Sequence, residues 1–173
     1  NNTRYVGLNM QERPLTPNIK NIGSNLNELF TVEVAICFFR IKESLEEGGE
    51  PTPELHSGLE VTPEGLYSIP NKKISHGENI ELAKDEIIKR HVINKAALDY
   101  SDAVFSSLLD KPNRYPGDEE NRVCLIYTAS VPDFSIDEGL KWVNQAELIE
   151  ILNENKFVKD HSQIITKAVF PYG

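Results

Sequence analysis

The chain has 173 residues, and its 18 lysine and arginine residues against 27 aspartate and glutamate residues give a net charge of −9. This length suits one domain with a sizeable core and leaves little room for a second. The acidic balance argues against direct binding of nucleic acid through a broad basic surface. The longest clear apolar run, residues 34–39, is far shorter than the roughly 18 residues that a membrane helix needs.

Both cysteines, Cys37 and Cys124, lie in strand-like apolar runs. This pattern favours buried free thiols in a reducing compartment over a disulfide framework, with a single bridge as the alternative. The start of the chain shows no cationic and apolar leader. We therefore expect a cytoplasmic domain without membrane contact, either an enzyme or a binding module.

The first half of the chain predicts one long strand between irregular segments. Residues 1–30 are polar and turn-rich, and we expect them to form an N-terminal arm before a domain that spans residues 31–173. Residues 31–41 are β-branched and aromatic, which predicts a buried central strand. Residues 42–62 are rich in glutamate, glycine and proline and predict a long loop. Residues 65–70 predict a short strand that its own proline ends.

The second half alternates helices and strands. Residues 79–91 predict a helix with an apolar stripe (Ile80, Ala83, Ile87, Ile88) and a charged stripe opposite (Glu81, Lys84, Asp85, Lys89). The further predicted elements are strands at 102–109, 122–131 and 140–143, a turn-rich segment at 110–121, and helices at 145–153 and 160–170. This alternation predicts an α/β or α+β fold with a mixed sheet.

Several segments resemble, in order, the landmarks of the Nudix family, which hydrolyses nucleoside diphosphates linked to another group. Residues 67–70 (Tyr-Ser-Ile-Pro) resemble the strand that ends in Leu-Pro-Gly-Gly. Residues 74–78 (Ile-Ser-His-Gly-Glu) resemble the approach to Gly-Glu, and residues 79–83 resemble the start of the Nudix helix. The resemblance implies a Nudix-like α/β/α sandwich with a mixed β-sheet.

The downstream landmarks resemble one branch of that family. Residues 110–116 (Asp-Lys-Pro-Asn-Arg-Tyr-Pro) are similar to a loop of Nudix domains that bind ADP-ribose, and residues 122–127 to the strand that follows it. Residues 141–148 resemble a Trp-Val and Glu-Leu segment. Residues 158–164 resemble a helix start in the Nudix domains of transcription regulators that respond to NAD, ADP-ribose or sugars.

The catalytic signature of the family is degenerate in this chain. Of the signature residues, only Glu78 matches. Two glycines, an arginine, three glutamates and a closing glycine are replaced, in that order, by Asn71, Lys72, Glu86, Ile87, Arg90, His91 and Ile93. Nudix hydrolysis needs carboxylates that hold divalent cations. We therefore predict no catalytic residue, no metal site and no cofactor.

The resemblance and the residue chemistry together nominate ligand-binding side chains. They are Arg40, Glu78, Arg90, His91, Arg114, Tyr115 and Arg122. A guanidinium at Arg90 would attract a diphosphate in place of a metal, whereas the alternative is a surface pair with Glu86. Arg114 and Tyr115 would bind phosphate and stack on a base or ribose, or else belong to an ordinary polar turn.

Three aromatic or titratable residues have structural interpretations beside functional ones. His91 is either a general base or a helix C-terminal histidine that the helix dipole favours. His161 beside Asp160 could be a catalytic dyad, but Asp160 fits a helix N-cap better. Trp142 is predicted to fill the core beside the last helices.

The prediction for function is a degenerate Nudix-fold sensor or regulatory module, acting as a homodimer. Its ligand would be a nucleoside-diphosphate derivative of the ADP-ribose or NAD type, or a sugar phosphate. One alternative is an active Nudix hydrolase with displaced carboxylates, either Glu78, Glu81 and Asp85 or residues 118–120. The other is a scaffold that binds a protein partner through the arm and residues 42–62.

Overall fold

A computed structural model describes residues 31–44, 48–75, 77–94, 96–110 and 122–170. The expected arm at 1–30 and nearly all of the turn-rich segment at 110–121 lie outside the described residues. The elements are β1 (Thr31–Ser44), β2 (Thr52–Val61), β3 (Tyr67–Ser68), β4 (Asn71–Lys73), α1 (Ile80–His91), β5 (Val104–Asp110), β6 (Arg122–Ser130), β7 (Lys141–Asn144), α2 (Gln145–Asn153) and α3 (His161–Val169). A 3₁₀ turn, Tyr100–Asp102, precedes β5.

The strands form one seven-stranded mixed sheet in the order β3-β2-β1-β6-β5, with β4 also paired to β1 and β7 to β2. The β1–β6 pair is parallel and the other pairs are antiparallel. Helix α1 packs its apolar stripe on one face of the sheet. Helices α2 and α3 cover the other face. The predicted α/β/α sandwich with a mixed sheet is confirmed.

The central position of β1 follows from its apolar sequence. Val32, Val34, Ile36 and Phe38 face α1, and Ala35 and Cys37 face the opposite core. A strand buried on both faces reads as a continuous apolar run rather than an alternating one. The prediction of a buried central strand is therefore confirmed, and the strand continues three residues beyond the predicted end.

The prediction of a long loop over residues 42–62 is wrong, because residues 52–61 form strand β2. It pairs with β1 in a hairpin, with Gly58 opposite Phe38 and Thr52 opposite Ser44. Pro53 suggested a loop, yet it lies within the strand. At this point β1 is the only described partner of β2, because β7 pairs with residues 56–59 of β2 and β3 pairs with residues 60–61. Proline is tolerated at such an edge position.

Helix α1 confirms the predicted helix, and Asn79 caps it by accepting a hydrogen bond from the Leu82 amide. The prediction that Lys84 lies on the exposed stripe is wrong, because Lys84 is buried. Its Nζ donates to the carbonyl oxygen of Ala103 at 3.0 Å and lies 4.6 Å from the Tyr127 ring centroid. Burial lowers the pKa of Lys84. A long aliphatic stem allows a lysine to be buried in this way when its ammonium group finds partners.

The two C-terminal helices agree with the prediction. Helix α2 begins in a capping box between Asn144 and Glu147. Asp160 occupies the N-cap position of α3, but its side chain makes no capping hydrogen bond, which corrects the predicted role. His161 is buried, and its Nδ1 accepts a hydrogen bond from the Ile69 amide at 2.9 Å. This histidine therefore ties α3 to the segment after β3 and has a structural role.

Both cysteines are buried free thiols, as predicted, and the disulfide alternative is wrong. Cys37 lies opposite Thr128 in the sheet, four residues beyond Cys124. Burial raises the pKa of Cys37 to about 12. Because the thiolate is the reactive form, we expect neither thiol of the native protein to react with a thiol-specific chromophoric reagent at neutral pH. Both should react in denaturant, and rapid labelling of the native protein would contradict this prediction.

Candidate functional site

The C-terminal end of α1 is joined to β2 through one carboxylate. Oε2 of Glu60 lies 2.7 Å from Nε2 of His91 and 3.3 Å from Nη1 of Arg90. Nη2 of Arg90 also donates to the carbonyl oxygen of Asn71 at 3.4 Å. Burial by itself raises the pKa of Glu60, but the hydrogen bonds and charges of His91 and Arg90 outweigh it, and the pKa lies below its usual value. Glu60 is therefore a carboxylate at neutral pH.

His91 is enclosed rather than exposed at the helix end. Only 4% of it is accessible, its Nδ1 lies 2.9 Å from the carbonyl oxygen of Glu138, and its ring meets Phe38 edge to face. Gly139, with a left-handed φ of 76°, passes close by, and a Cβ there would lie 3.3 Å from Nδ1. Both ring nitrogens therefore have protein partners in this structure, and the role of a general base stays a prediction.

A second cluster lies beside the first, on the same face of the sheet. Nη1 of Arg40 donates to Oδ2 of Asp137 at 3.3 Å, and the guanidinium carbon lies 4.1 Å from the centroid of the Trp142 ring. The indole Nε1 of Trp142 donates to both carboxylate oxygens of Asp137 at 3.2 Å. Arg40 is 9% accessible, and its Nε is buried without a hydrogen-bond partner. Trp142 is half-buried and packs against the α1-side core. Its predicted place beside the last helices is wrong, because those helices cover the other face of the sheet.

One loop, residues 131–140, connects the two clusters. Its backbone pairs with the end of α1. The Ile93 amide donates to the carbonyl oxygen of Ile136 at 2.9 Å, and the Glu138 amide donates to the carbonyl oxygen of His91 at 2.7 Å. Asp137 thereby reaches Arg40 while Glu138 contacts His91. A shallow cavity of about 460 Å³ lies between this loop and the outer end of β1 and is lined by Ile41, Lys42, Glu43 and Asp133.

The sequence matches no family model and no curated protein sequence. The structure, in contrast, is similar to solved structures. A mutT/nudix family protein from Listeria innocua aligns at a TM-score of 0.56 with 18% identity, over 80% of this chain and 90% of that one. The chain has the Nudix fold. The Nudix domain of Shewanella oneidensis NrtR, in a complex with ADP ribose, aligns at a TM-score of 0.53 with 17% identity, over 79% of this chain and 84% of that one. An Ap4A hydrolase from C. elegans aligns at a TM-score of 0.51 with 12% identity, over 82% of this chain and 97% of that one.

The resemblance places the Nudix helix at α1, and the side chains of α1 at three signature glutamate positions are not carboxylates. Ile87, at a glutamate position of the signature, is inaccessible and belongs to the core. Arg90 and His91, at the other two glutamate positions, both contact Glu60. Asp85, one of the displaced carboxylates considered above, pairs with Lys89 at 2.7 Å. In the part of the chain that the structure describes, no three histidine, cysteine, aspartate or glutamate side chains are placed to hold a metal ion.

The predicted surface pair between Arg90 and Glu86 is wrong. Glu86 instead contacts Nζ of Lys72 at 2.8 Å, and the same Nζ lies 3.5 Å from Glu78. Lys72 lies on β4, at a position where the Nudix signature has glycine, and its side chain reaches the helix. Arg90 is consequently available to Glu60 and Asn71.

The structure brings together three of the seven predicted ligand-binding residues, Arg40, Arg90 and His91. Glu78 lies just before the other end of the helix, where it also accepts a hydrogen bond from the Ser75 amide. Arg122 contacts Glu33 at 3.9 Å and is paired with Thr31, at the opposite end of β1 from Arg40. Arg114 and Tyr115 lie outside the described residues. Sequence reasoning missed Glu60 and Asp137, which carry no local signal because their partners are distant in the chain.

Proposed function

We propose that this chain is a catalytically degenerate Nudix-fold module that binds a nucleoside-diphosphate derivative of the ADP-ribose or NAD type, or a sugar phosphate, as a sensor. The observation that carries the proposal is a group of cationic side chains around the Nudix helix, one of them at a signature glutamate position. Arg90 occupies a signature glutamate position, Lys72 a glycine position, and Arg40 lies next to the helix end. Guanidinium and ammonium groups attract phosphates but do not activate water as a metal ion does.

Arg90 is the side chain most suited to the first contact with such a ligand. Its side chain is 43% exposed, and its two described hydrogen bonds are long, at 3.3 and 3.4 Å. A guanidinium has five donors, so Arg90 retains capacity for phosphate oxygens while it holds Glu60. The structural similarity to a Nudix domain complexed with ADP ribose also supports this ligand class.

The experiment that tests the proposal is a titration of the protein with ADP-ribose, NAD and sugar phosphates, with and without Mg²⁺. A ligand at 100 times its dissociation constant should stabilise the fold by about 2.7 kcal/mol, and no product should form. Arg90→Ala should weaken binding at least about tenfold, equivalent to about 1.4 kcal/mol. Lys89→Ala, on the neighbouring position of the same helix, is the matched control. Mg²⁺-dependent hydrolysis would instead support the enzyme alternative.

We also propose that the Nudix-fold domain spans residues 31–173 after a separate arm and works in the cytoplasm. The two buried free thiols suit a reducing compartment. No helix in the described ranges is long and apolar enough to cross a membrane.

Strand β5 is the surface that we propose for a homodimer. Among the described residues, β6 is its one partner strand, so its other side is an edge. Residues 104–109 carry no charge, and Val104, Phe105 and Leu108 are exposed. Edge strands are usually protected from pairing by charges. A second copy in antiparallel register satisfies both strands and places the two Asp110 carboxylates at opposite ends of the pair, which suits a chain of net charge −9.

We expect the protein to sediment as a dimer at micromolar concentration and Phe105→Lys to convert it to a monomer, because a lysine on an edge strand opposes pairing with another strand. Val61→Lys, an equally exposed apolar position on β2, should leave the dimer intact. A wild-type monomer would contradict the proposed homodimer, and would favour the scaffold alternative if the same edge binds another protein.

A further inference from the structure

Arg40 is a buried cation with too few hydrogen-bond partners. Buried polar groups are nearly always hydrogen-bonded, and buried charges are paired and hydrogen-bonded. Among the described residues, Arg40 donates one side-chain hydrogen bond, to Asp137 at 3.3 Å, and its buried Nε has no partner there. Charge-assisted hydrogen bonds of guanidinium groups are normally about 2.7–2.9 Å. The Asp137 carboxylate therefore satisfies this guanidinium poorly.

Asp137 also divides its carboxylate between two donors. Both of its oxygens accept from the Trp142 indole at 3.2 Å, while one of them contacts Arg40. The Trp142 ring in turn covers one side of the guanidinium plane. These contacts leave the edge of the guanidinium group, which includes Nε, with unused hydrogen-bond donors. A tetrahedral oxyanion fits this edge best, because phosphate accepts two parallel hydrogen bonds from arginine.

We infer that Arg40 is an anion-binding residue that Asp137 occupies in the unliganded protein, and that a phosphate group of the ligand displaces the Asp137 carboxylate. The inference rests on the proposed function for the identity of that ligand. It extends that function, because binding becomes a competition between a ligand phosphate and a side chain of loop 131–140.

The surroundings of Asp137 permit this exchange without unfolding the loop. The backbone bonds that hold the loop to α1 come from the neighbouring residues Ile136 and Glu138. The Asp137 side chain is 13% exposed, so part of it reaches solvent.

Trp142 reports on the exchange. It is the single tryptophan of the chain, and its N–H loses an acceptor when the Asp137 carboxylate leaves. Intrinsic tryptophan fluorescence therefore measures the state of this cluster directly, independently of stabilisation or turnover.

The test is a titration with inorganic pyrophosphate, followed by tryptophan fluorescence and by calorimetry. Asp137→Asn keeps an acceptor for Trp142 and removes the competing charge, so we expect it to bind pyrophosphate at least about tenfold more tightly than the wild type does. Adding Arg40→Gln to Asp137→Asn should abolish that binding. Asp133→Asn, in the same loop, should behave as the wild type.

Equal affinity of Asp137→Asn and the wild type, or binding that survives loss of Arg40, would overturn the inference. If Asp137→Asn is too unstable to isolate, the wild type alone decides, because pyrophosphate should change its Trp142 emission and an unchanged emission at saturation overturns the inference. Pyrophosphate binding without ADP-ribose, NAD or sugar-phosphate binding would refute the proposed function and leave the inference standing. ADP-ribose binding that neither changes Trp142 emission nor tightens in Asp137→Asn would overturn the inference and leave the proposed function standing.

Discussion

Replacement of Glu60 by alanine is expected to destabilise the domain by about 3 kcal/mol at neutral pH, because the buried His91 would lose a charged partner. His91 is almost wholly buried and would lose its contact at 2.7 Å, and Arg90 would lose its contact at 3.3 Å. Urea denaturation measures the free energy of unfolding, and the slope with denaturant should not change. Glu64→Ala, in the exposed turn after β2, should stay within about 0.5 kcal/mol of the wild type. A Glu60→Ala variant as stable as this control would show that the cluster adds nothing to stability.

The same cluster predicts the response of stability to acid. The pKa of Glu60 is lower in the folded state than its ordinary value. Its contribution is therefore present above the unfolded-state pKa, about 4.3, and is lost as the pH falls through the folded-state pKa. We expect the difference in unfolding free energy between the wild type and Glu60→Gln to shrink between about pH 5 and pH 3. A difference that is constant over this range would contradict the assignment.

The elements that sequence predicted well are those with a strong local period or a continuous apolar run. The buried stripe of α1 and the run of β1 are of this kind, and helix α2 begins and ends at the predicted residues. Strand β2 was missed because Pro51 precedes it and Pro53 is its second residue, and both favour a loop. The composition averaged over residues 42–62 concealed the pairing with β1. Lys84 was misplaced because its burial depends on Ala103 and Tyr127, which are distant in sequence.

The residues of the candidate site also separate into those that a local pattern predicted and those that it did not. Arg90 and His91 were selected because the resemblance gave their positions in the Nudix helix a meaning. Their partner Glu60 comes from a strand that was not predicted, and Asp137 comes from a loop whose position depends on how it pairs with the end of α1. Pairwise contacts between separate elements follow from the three-dimensional arrangement, and no pattern within one segment specifies them.

Ile87 shows how far the side chains of α1 differ from the signature that the resemblance assigns to them. The resemblance assigns this position to a glutamate, yet here the side chain is inaccessible and packs with Ile80, Ala83 and Ile88 against the sheet. The helix therefore uses for its core a position that the signature gives to chemistry. Restoring the carboxylate would place a charge among apolar side chains without a described partner.

Ile87→Glu is accordingly expected to cost at least about 4 kcal/mol, a large share of the 5–15 kcal/mol that stabilises an ordinary domain. Ile87→Val, which removes one methyl group, should cost about 1 kcal/mol. Leu82→Glu, on the exposed side of the same helix, should change stability by less than about 0.5 kcal/mol and serves as the matched control. Thermal and urea denaturation of the three variants measure these differences. If Ile87→Glu folded as stably as Leu82→Glu, the helix would still have room for a metal-binding carboxylate, and the enzyme alternative would regain its main structural requirement.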